Sequence, residues 1–215
     1  MGSILVDGHE FTCAANVRAD NTFKFSALPK RTETRAFVIH HTGGLGLAKQ
    51  VHRTLVERHL SVHFCVEPDG TVWQYADAAL RCSHAGIANA WSVGVEVVNH
   101  AGPRLVGAEH RPVLIEKIHG ADRRHTGFTA EQMTAVLALA TSVCRAYGLP
   151  LEVPMAAPGH DVVADVLPDP ELKAFRGCLG HLHISAAKTD PGLAILRAIA
   201  ALKPRAGIGL SGPAE

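Results

Sequence analysis

Residues 36–44 read AFVIHHTGG, and residues 92–99 read SVGVEVVN. In the first stretch, four consecutive apolar residues, Ala36 to Ile39, fill both faces of a strand, so AFVIHH is expected as a buried strand that ends in two histidines. The second is a β-branched strand interrupted by one carboxylate, Glu96. Between them, Leu47, Val51 and Leu55 recur four apart, which predicts a helix within 46–59. VHFCVEPDGTVWQY (62–75) reads as two alternating strands around Pro68-Asp69-Gly70, a hairpin. Further along, Thr129 opens a helix with Gln132 as its capping-box partner, and that helix stops at Gly148 with Pro150 just beyond. FRGCLGHLHIS (175–185) supplies a short strand and PGLAILRAIAALK (191–203) a last helix. Upstream, ILVDGHEF (4–11) is a hairpin about Asp7-Gly8. The segments 16–35, 100–125 and 156–175 read as irregular or loop. Strands alternating with long helices predict an α/β fold, a central mixed β-sheet flanked by helices.

Composition narrows the function classes. The chain has 215 residues, 47% hydrophobic and 19% charged, which suits one globular domain able to bury a core without staples. The division expected is a hairpin extension over 1–35, a core over 36–200 and a flexible tail over 201–215. With 21 Lys and Arg against 20 Asp and Glu, the net charge of +1 argues against nucleic acid or anionic lipid as a partner. No apolar run reaches the roughly 18 residues of a membrane span. MGSILVDGHEF lacks the basic and long apolar segments of a signal peptide, so the chain is expected to be cytoplasmic as synthesised. Five scattered cysteines without a CxxC pair are expected as free, mostly buried thiols. Fourteen histidines against 11 aromatics is the one departure from average, and it raises the question of a metal.

Two histidine motifs could carry chemistry. His40 and His41 end a strand and precede Thr42-Gly43-Gly44; neighbouring strand side chains point to opposite faces, so only one of the pair can serve a given site. His181 lies where the FRGCLG strand ends and is followed by His183, Lys188 and Asp190. A zinc site needs about three protein ligands with one position left open, and one histidine of the first motif with His181 and Asp190 would make such a set. A strand-end histidine can equally be a hydrogen-bonded structural residue. Glu96 in an apolar strand is costly unless paired or near a metal, and burial would raise its pKa toward that of a general base working near neutral pH. The competing reading is a half-exposed glutamate on an edge strand. Lys188 could stabilise a developing oxyanion, or be a solvated loop residue. TGGLG lacks the Lys-Ser/Thr ending of a phosphate-binding loop.

Taken together, FVIHHTGG, HFCVEPDGTVWQY, SHAGIANAWSVGVEVVN, GFTAEQ with its helix and YGLP, and GHLHISAAKTDPG occur in the order seen in a known family. The chain resembles the zinc-dependent N-acetylmuramoyl-L-alanine amidases of the type-2 amidase family, which also contains peptidoglycan recognition proteins, over roughly residues 36–200. The resemblance implies a Zn2+ held by His40, His181 and Asp190, with Glu96 as general base and Lys188 on the oxyanion. It also implies His84 and Asn89 as polar residues lining a groove for peptidoglycan or muropeptide. The loop 156–175 is longer than the family pattern and offers a rival ligand in His160. His181 is preferred because KTDPG follows it at the short spacing of one family branch. The activity implied is hydrolysis of the amide between the muramic acid lactyl group and L-alanine. The alternative is a non-catalytic peptidoglycan-binding module, and an endolysin, a recycling enzyme and a delivered effector all fit an amidase without a signal peptide.

Overall fold

A computed structural model describes residues 1–19, 25, 27–101, 111–157 and 161–202. Its centre is a six-stranded mixed sheet in the order β10-β4-β7-β5-β6-β3. The strands are β3 (Val17–Ala19), β4 (Ala36–Gly43), β5 (Phe64–Val66), β6 (Val72–Gln74), β7 (Ser92–His100) and β10 (Gly177–Gly180). β10, β4, β7 and β5 run parallel, while β6 returns antiparallel to β5 through the expected Pro-Asp-Gly turn.

The pleat sorts the strand residues. Phe37, Ile39, Phe64, Val66, Val93, Val95, Val97 and Cys178 alternate onto one face and join the main core. That core is closed by α2 (Ala130–Ala146) and α4 (Ala194–Ala200), with the hairpin β1 (Gly2–Val6) and β2 (His9–Cys13) adding Ile4, Val6 and Cys13. The start of α2 is fixed by a capping box, in which the Gln132 amide N–H donates to Thr129 Oγ1 at 3.0 Å and Thr129 N–H to Gln132 Oε1 at 3.1 Å. The buried Gln132 side chain also donates to Val98 O at 2.7 Å, which ties the helix to β7.

Among the described residues, the opposite face carries apolar clusters at its two ends. At one end, α1 (Ala48–Glu57) packs Ala48, Val51 and Leu55, spaced three and four apart, on Cys65 and Val98. At the other, Ala85, Ala88, Trp91, Leu167 and Leu172 pack on Ala36, Val38 and Leu179. The strip between the two clusters carries His40 and Glu96.

Three expectations need correction. Segment 16–35 supplies β3, an edge strand of the central sheet paired with β6, so the N-terminal region is built into the fold. Residues 100–125, read as a loop, contain a second hairpin, β8 (Val113–Ile118) and β9 (Ala121–Thr126). Its turn is His119-Gly120, both at positive φ (53° and 73°), the same two-residue turn that Asp7-Gly8 makes in the first hairpin. The strand pattern was hidden because the inward positions hold the polar pair Glu116 and His125 while Val113 and Ile115 face outward. The loop 156–175 also contains a short helix, α3 (Asp169–Ala174), with Pro170 in its first turn. His160 and most of the tail (203–215) lie outside the described residues. All five cysteines are free and buried, as expected. Among the described residues, no helix is long and apolar enough to cross a membrane.

Candidate active site

His40 and Glu96 are direct partners in the parallel ladder between β4 and β7, so their side chains leave the sheet on the same face. His181 follows β10 immediately, in a single 3-10 turn over His181–His183, and Asp190 sits on the loop before α4. The three candidate donor atoms form a nearly equilateral triangle. His40 Nδ1 is 3.0 Å from His181 Nδ1, and each of these nitrogens is 3.1 Å from Asp190 Oδ2. All three residues are buried. His41 points away from this triangle and stacks on His125, with ring centroids 6.1 Å apart.

Electrostatics prepare the donors. Burial pulls the His40 pKa down, against the opposing pull of Asp190, and the nearby His181 and Lys188 charges lower it further, which favours the neutral imidazole. Burial alone would raise Asp190, but hydrogen bonds from His181 and His40 hold its carboxylate far below the ordinary range. The other nitrogen of His40, Nε2, lies 2.9 Å from His84 Nδ1, and His84 Nε2 is 3.4 Å from Ser92 Oγ. With a metal on Nδ1 in place of the Asp190 hydrogen bond, donation from His40 Nε2 to His84 would leave Nδ1 its lone pair, the usual way an outer partner selects a tautomer. Gly94 makes room for this partner: a Cβ there would meet the His84 ring at 2.6 Å.

Glu96 faces the same space. Its Oε2 is buried with no hydrogen-bond partner among the described residues. Burial, helped by the Asp190 charge, pushes its pKa up to about 8, while Lys188 and Arg58 pull it partly back. Lys188 lines the cavity with Glu96, the three donors and His84; its volume is about 390 Å3. Asn89 does not reach this cavity. Its Oδ1 accepts the backbone N–H groups of His84 and Ala85 at 2.9 and 2.6 Å, so it shapes the turn that presents His84. Arg58, Gln50 and Thr54 of the α1 region also line the cavity. Nothing in their spacing separates them from ordinary exposed helix positions, so sequence reasoning passed over them.

The donor set fits zinc. A tetrahedral zinc with bonds of about 2.1 Å keeps its ligand atoms about 3.4 Å apart, within a few tenths of an ångström of the triangle found here. Two imidazole nitrogens and one carboxylate also match the ligand chemistry of zinc sites that keep a fourth position open.

The architecture is that of solved amidase folds. The N-acetylmuramoyl-L-alanine amidase LysC from Clostridium intestinale URNW superposes with a TM-score of 0.55 at 15% identity, covering 85% of this chain and 93% of that one. The Staphylococcus aureus hydrolase AmiA, solved with its ligand, gives 0.54 at 14% identity over 88% and 83% of the two chains. The endolysin amidase LysCS of Clostridium intestinale URNW gives 0.53 at 15% identity over 82% and 88%. At such identities the likeness is one of fold. In sequence, residues 30–193 match the N-acetylmuramoyl-L-alanine amidase family, and the chain belongs to that family. No curated protein matches the chain.

Proposed function

We propose that this protein hydrolyses the amide bond between the lactyl group of N-acetylmuramic acid and L-alanine, in peptidoglycan or its muropeptide fragments, with zinc held by His40, His181 and Asp190. The observation that carries the reading is the donor triangle of 3.0–3.1 Å edges with Glu96 beside it in strand register. Family membership and the amidase names of the structural neighbours support the choice of bond. A bound zinc would supply an acidified water and polarise the carbonyl under attack.

The rest falls to the chain. The Glu96 carboxylate takes the proton of the attacking water and delivers a proton to the departing alanine nitrogen. Its pKa, raised to about 8, lies within about a unit of neutral pH, and a cation beside it would favour the carboxylate, so the group can both take and return a proton. The Lys188 ammonium stabilises the negative charge that develops on the lactyl carbonyl oxygen. His84 keeps His40 in the required tautomer. A binding-only module needs neither a complete donor triangle nor a partnerless carboxylate beside it, so both features favour catalysis.

The test is turnover of purified muropeptide, with and without a chelator, read by mass spectrometry. Release of the intact stem peptide from the sugar, lost with chelator and restored by zinc, is the expected result. Binding without cleavage under zinc-replete conditions would leave the recognition module as the correct reading. Running intact sacculi beside soluble anhydro-muropeptides in the same assay separates a wall-lytic enzyme from a recycling one.

A further inference from the structure

The β8–β9 hairpin contributes no atom to the donor triangle, yet it grips the loop that carries Lys188 and Asp190 at both ends. At one end, His119 in the hairpin turn donates from Nε2 to Lys188 O at 2.8 Å. At the other, Glu116 Oε2 accepts the Leu193 N–H at 2.7 Å. Glu116 is buried, and its carboxylate is further held by His125 Nε2 at 2.8 Å and by Arg197 Nη1 at 3.2 Å. Burial would raise the Glu116 pKa, but His125, the Leu193 N–H and Arg197 together hold it below its ordinary value, so it stays a strong acceptor.

The loop is wedged as well as tethered. A Cβ on Gly192 would meet His125 Nε2 at 2.5 Å and Glu116 Oε2 at 2.6 Å, and Gly192 sits at φ +86. On the other side, a Cβ on Gly180 would meet the Pro191 ring at 2.9 Å. The segment 190–192 is therefore clamped between the end of β10 and the Glu116–His125 pair. Leu182 N–H also donates to Asp190 O at 3.0 Å. We infer that Glu116 is a positioning residue for the metal centre: by holding the 190–193 backbone against β10, it sets where the Asp190 carboxylate meets His40 and His181. This rests on the reading of those three residues as a metal site.

The shortest hydrogen bond of this buried carboxylate is to the loop of a metal ligand, so its role reaches beyond stabilising the fold. Outer partners that orient a ligand typically contribute 10–100-fold to metal affinity. Zinc affinity, measured on folded protein by competition with a chromophoric chelator, is the readout. Glu116→Ala should weaken zinc binding by about 10-fold or more. Glu116→Gln, which still offers an oxygen to the Leu193 N–H, should recover most of that loss. Gly192→Ala keeps Glu116 but forces it and His125 away from the loop, so it should weaken binding comparably; it also answers the question if Glu116→Ala does not fold. Bound Co2+ should show an altered visible spectrum in both weakened variants. Wild-type zinc affinity in folded Glu116→Ala, or in Gly192→Ala, overturns the positioning role while leaving the metal site standing. Failure of the wild-type protein itself to bind zinc removes the metal site and this inference with it.

Discussion

His63 offers a quantitative test of how this fold supports its polar pocket. It is fully buried beside β7, where its Nδ1 accepts the Gly94 N–H at 2.9 Å and its Nε2 lies 2.8 Å from Leu80 O. These partners require a neutral ring with the proton on Nε2. Burial, with the Arg31 guanidinium 2.9 Å away, depresses its pKa from 6.5 to about 3. Between these two values the unfolded chain binds a proton that the folded chain refuses, so the contribution of His63 is complete above pH 6.5 and lost as pH falls. At pH 5 the unfolded imidazole is almost wholly protonated and the folded one almost wholly neutral, a loss of about 2 kcal/mol relative to pH 7. The perturbation is His63→Asn, whose amide oxygen can replace Nδ1 as acceptor for Gly94 but does not titrate. Urea unfolding with chelator present, at pH 7 and pH 5, gives the stability at each pH. The variant is expected to be less stable at pH 7 but to lose about 2 kcal/mol less than wild type on moving to pH 5. Equal losses in the two proteins, or a His63 resonance titrating near pH 6.5 in the folded state, would refute the reasoning.

Four further outcomes concern the site. Glu96→Gln should lower turnover about 10²–10⁴-fold with zinc content unchanged, measured by muropeptide release and metal analysis; near-full activity would return Glu96 to a structural role. Lys188→Met should lower kcat about 10²–10³-fold with zinc content and Tm near wild type, whereas a change confined to KM would assign Lys188 to ground-state substrate binding. His84→Ala should weaken zinc binding about 10–100-fold through the freed tautomer of His40, detected by chelator competition. Gly94→Ala should weaken it in the same assay by driving the His84 ring aside, and unchanged affinity would show that His84 does not set the ligand.

Much of the arrangement was legible because it follows from strand period and motif order. Four apolar residues before His40 place it at the end of a buried strand, and Glu96 stands out as the one carboxylate in an apolar run. The structure brings His40, His181, Asp190, Glu96 and Lys188 to one cavity. Both His40 and His41 line it, and which of them joins His181 and Asp190 could not be read from spacing, because the answer depends on the parallel register that pairs His40 with Glu96. Asn89 was expected in the groove but is held by two backbone N–H groups, a local turn bond that a motif does not reveal. The β8–β9 hairpin was invisible for a different reason. Its inward residues include the polar pair Glu116 and His125 beside Ile118, which breaks the apolar alternation, and the pair is fit to be buried by hydrogen bonds to each other, to the Leu193 N–H and to Arg197.

The two faces of the sheet divide the work. The face that packs α2, α4 and the first hairpin holds the main apolar core, and burial of apolar surface is the dominant favourable term in folding. The other face is left open between two small clusters, and there the chain places His40, His84 and Glu96. Such groups are costly to desolvate unless each has a partner, and here the partners are mostly one another: His40 with His84 and Asp190, and Asp190 with His181. Glu96 is the exception: its Oε2 has no partner among the described residues, and a cation or substrate beside it would relieve that cost. Substitutions on the open face should therefore change chemistry with little loss of fold. Those in the β8–β9 hairpin should change both, because Glu116 and His119 join the apolar body of the protein to the loop that carries Lys188 and Asp190.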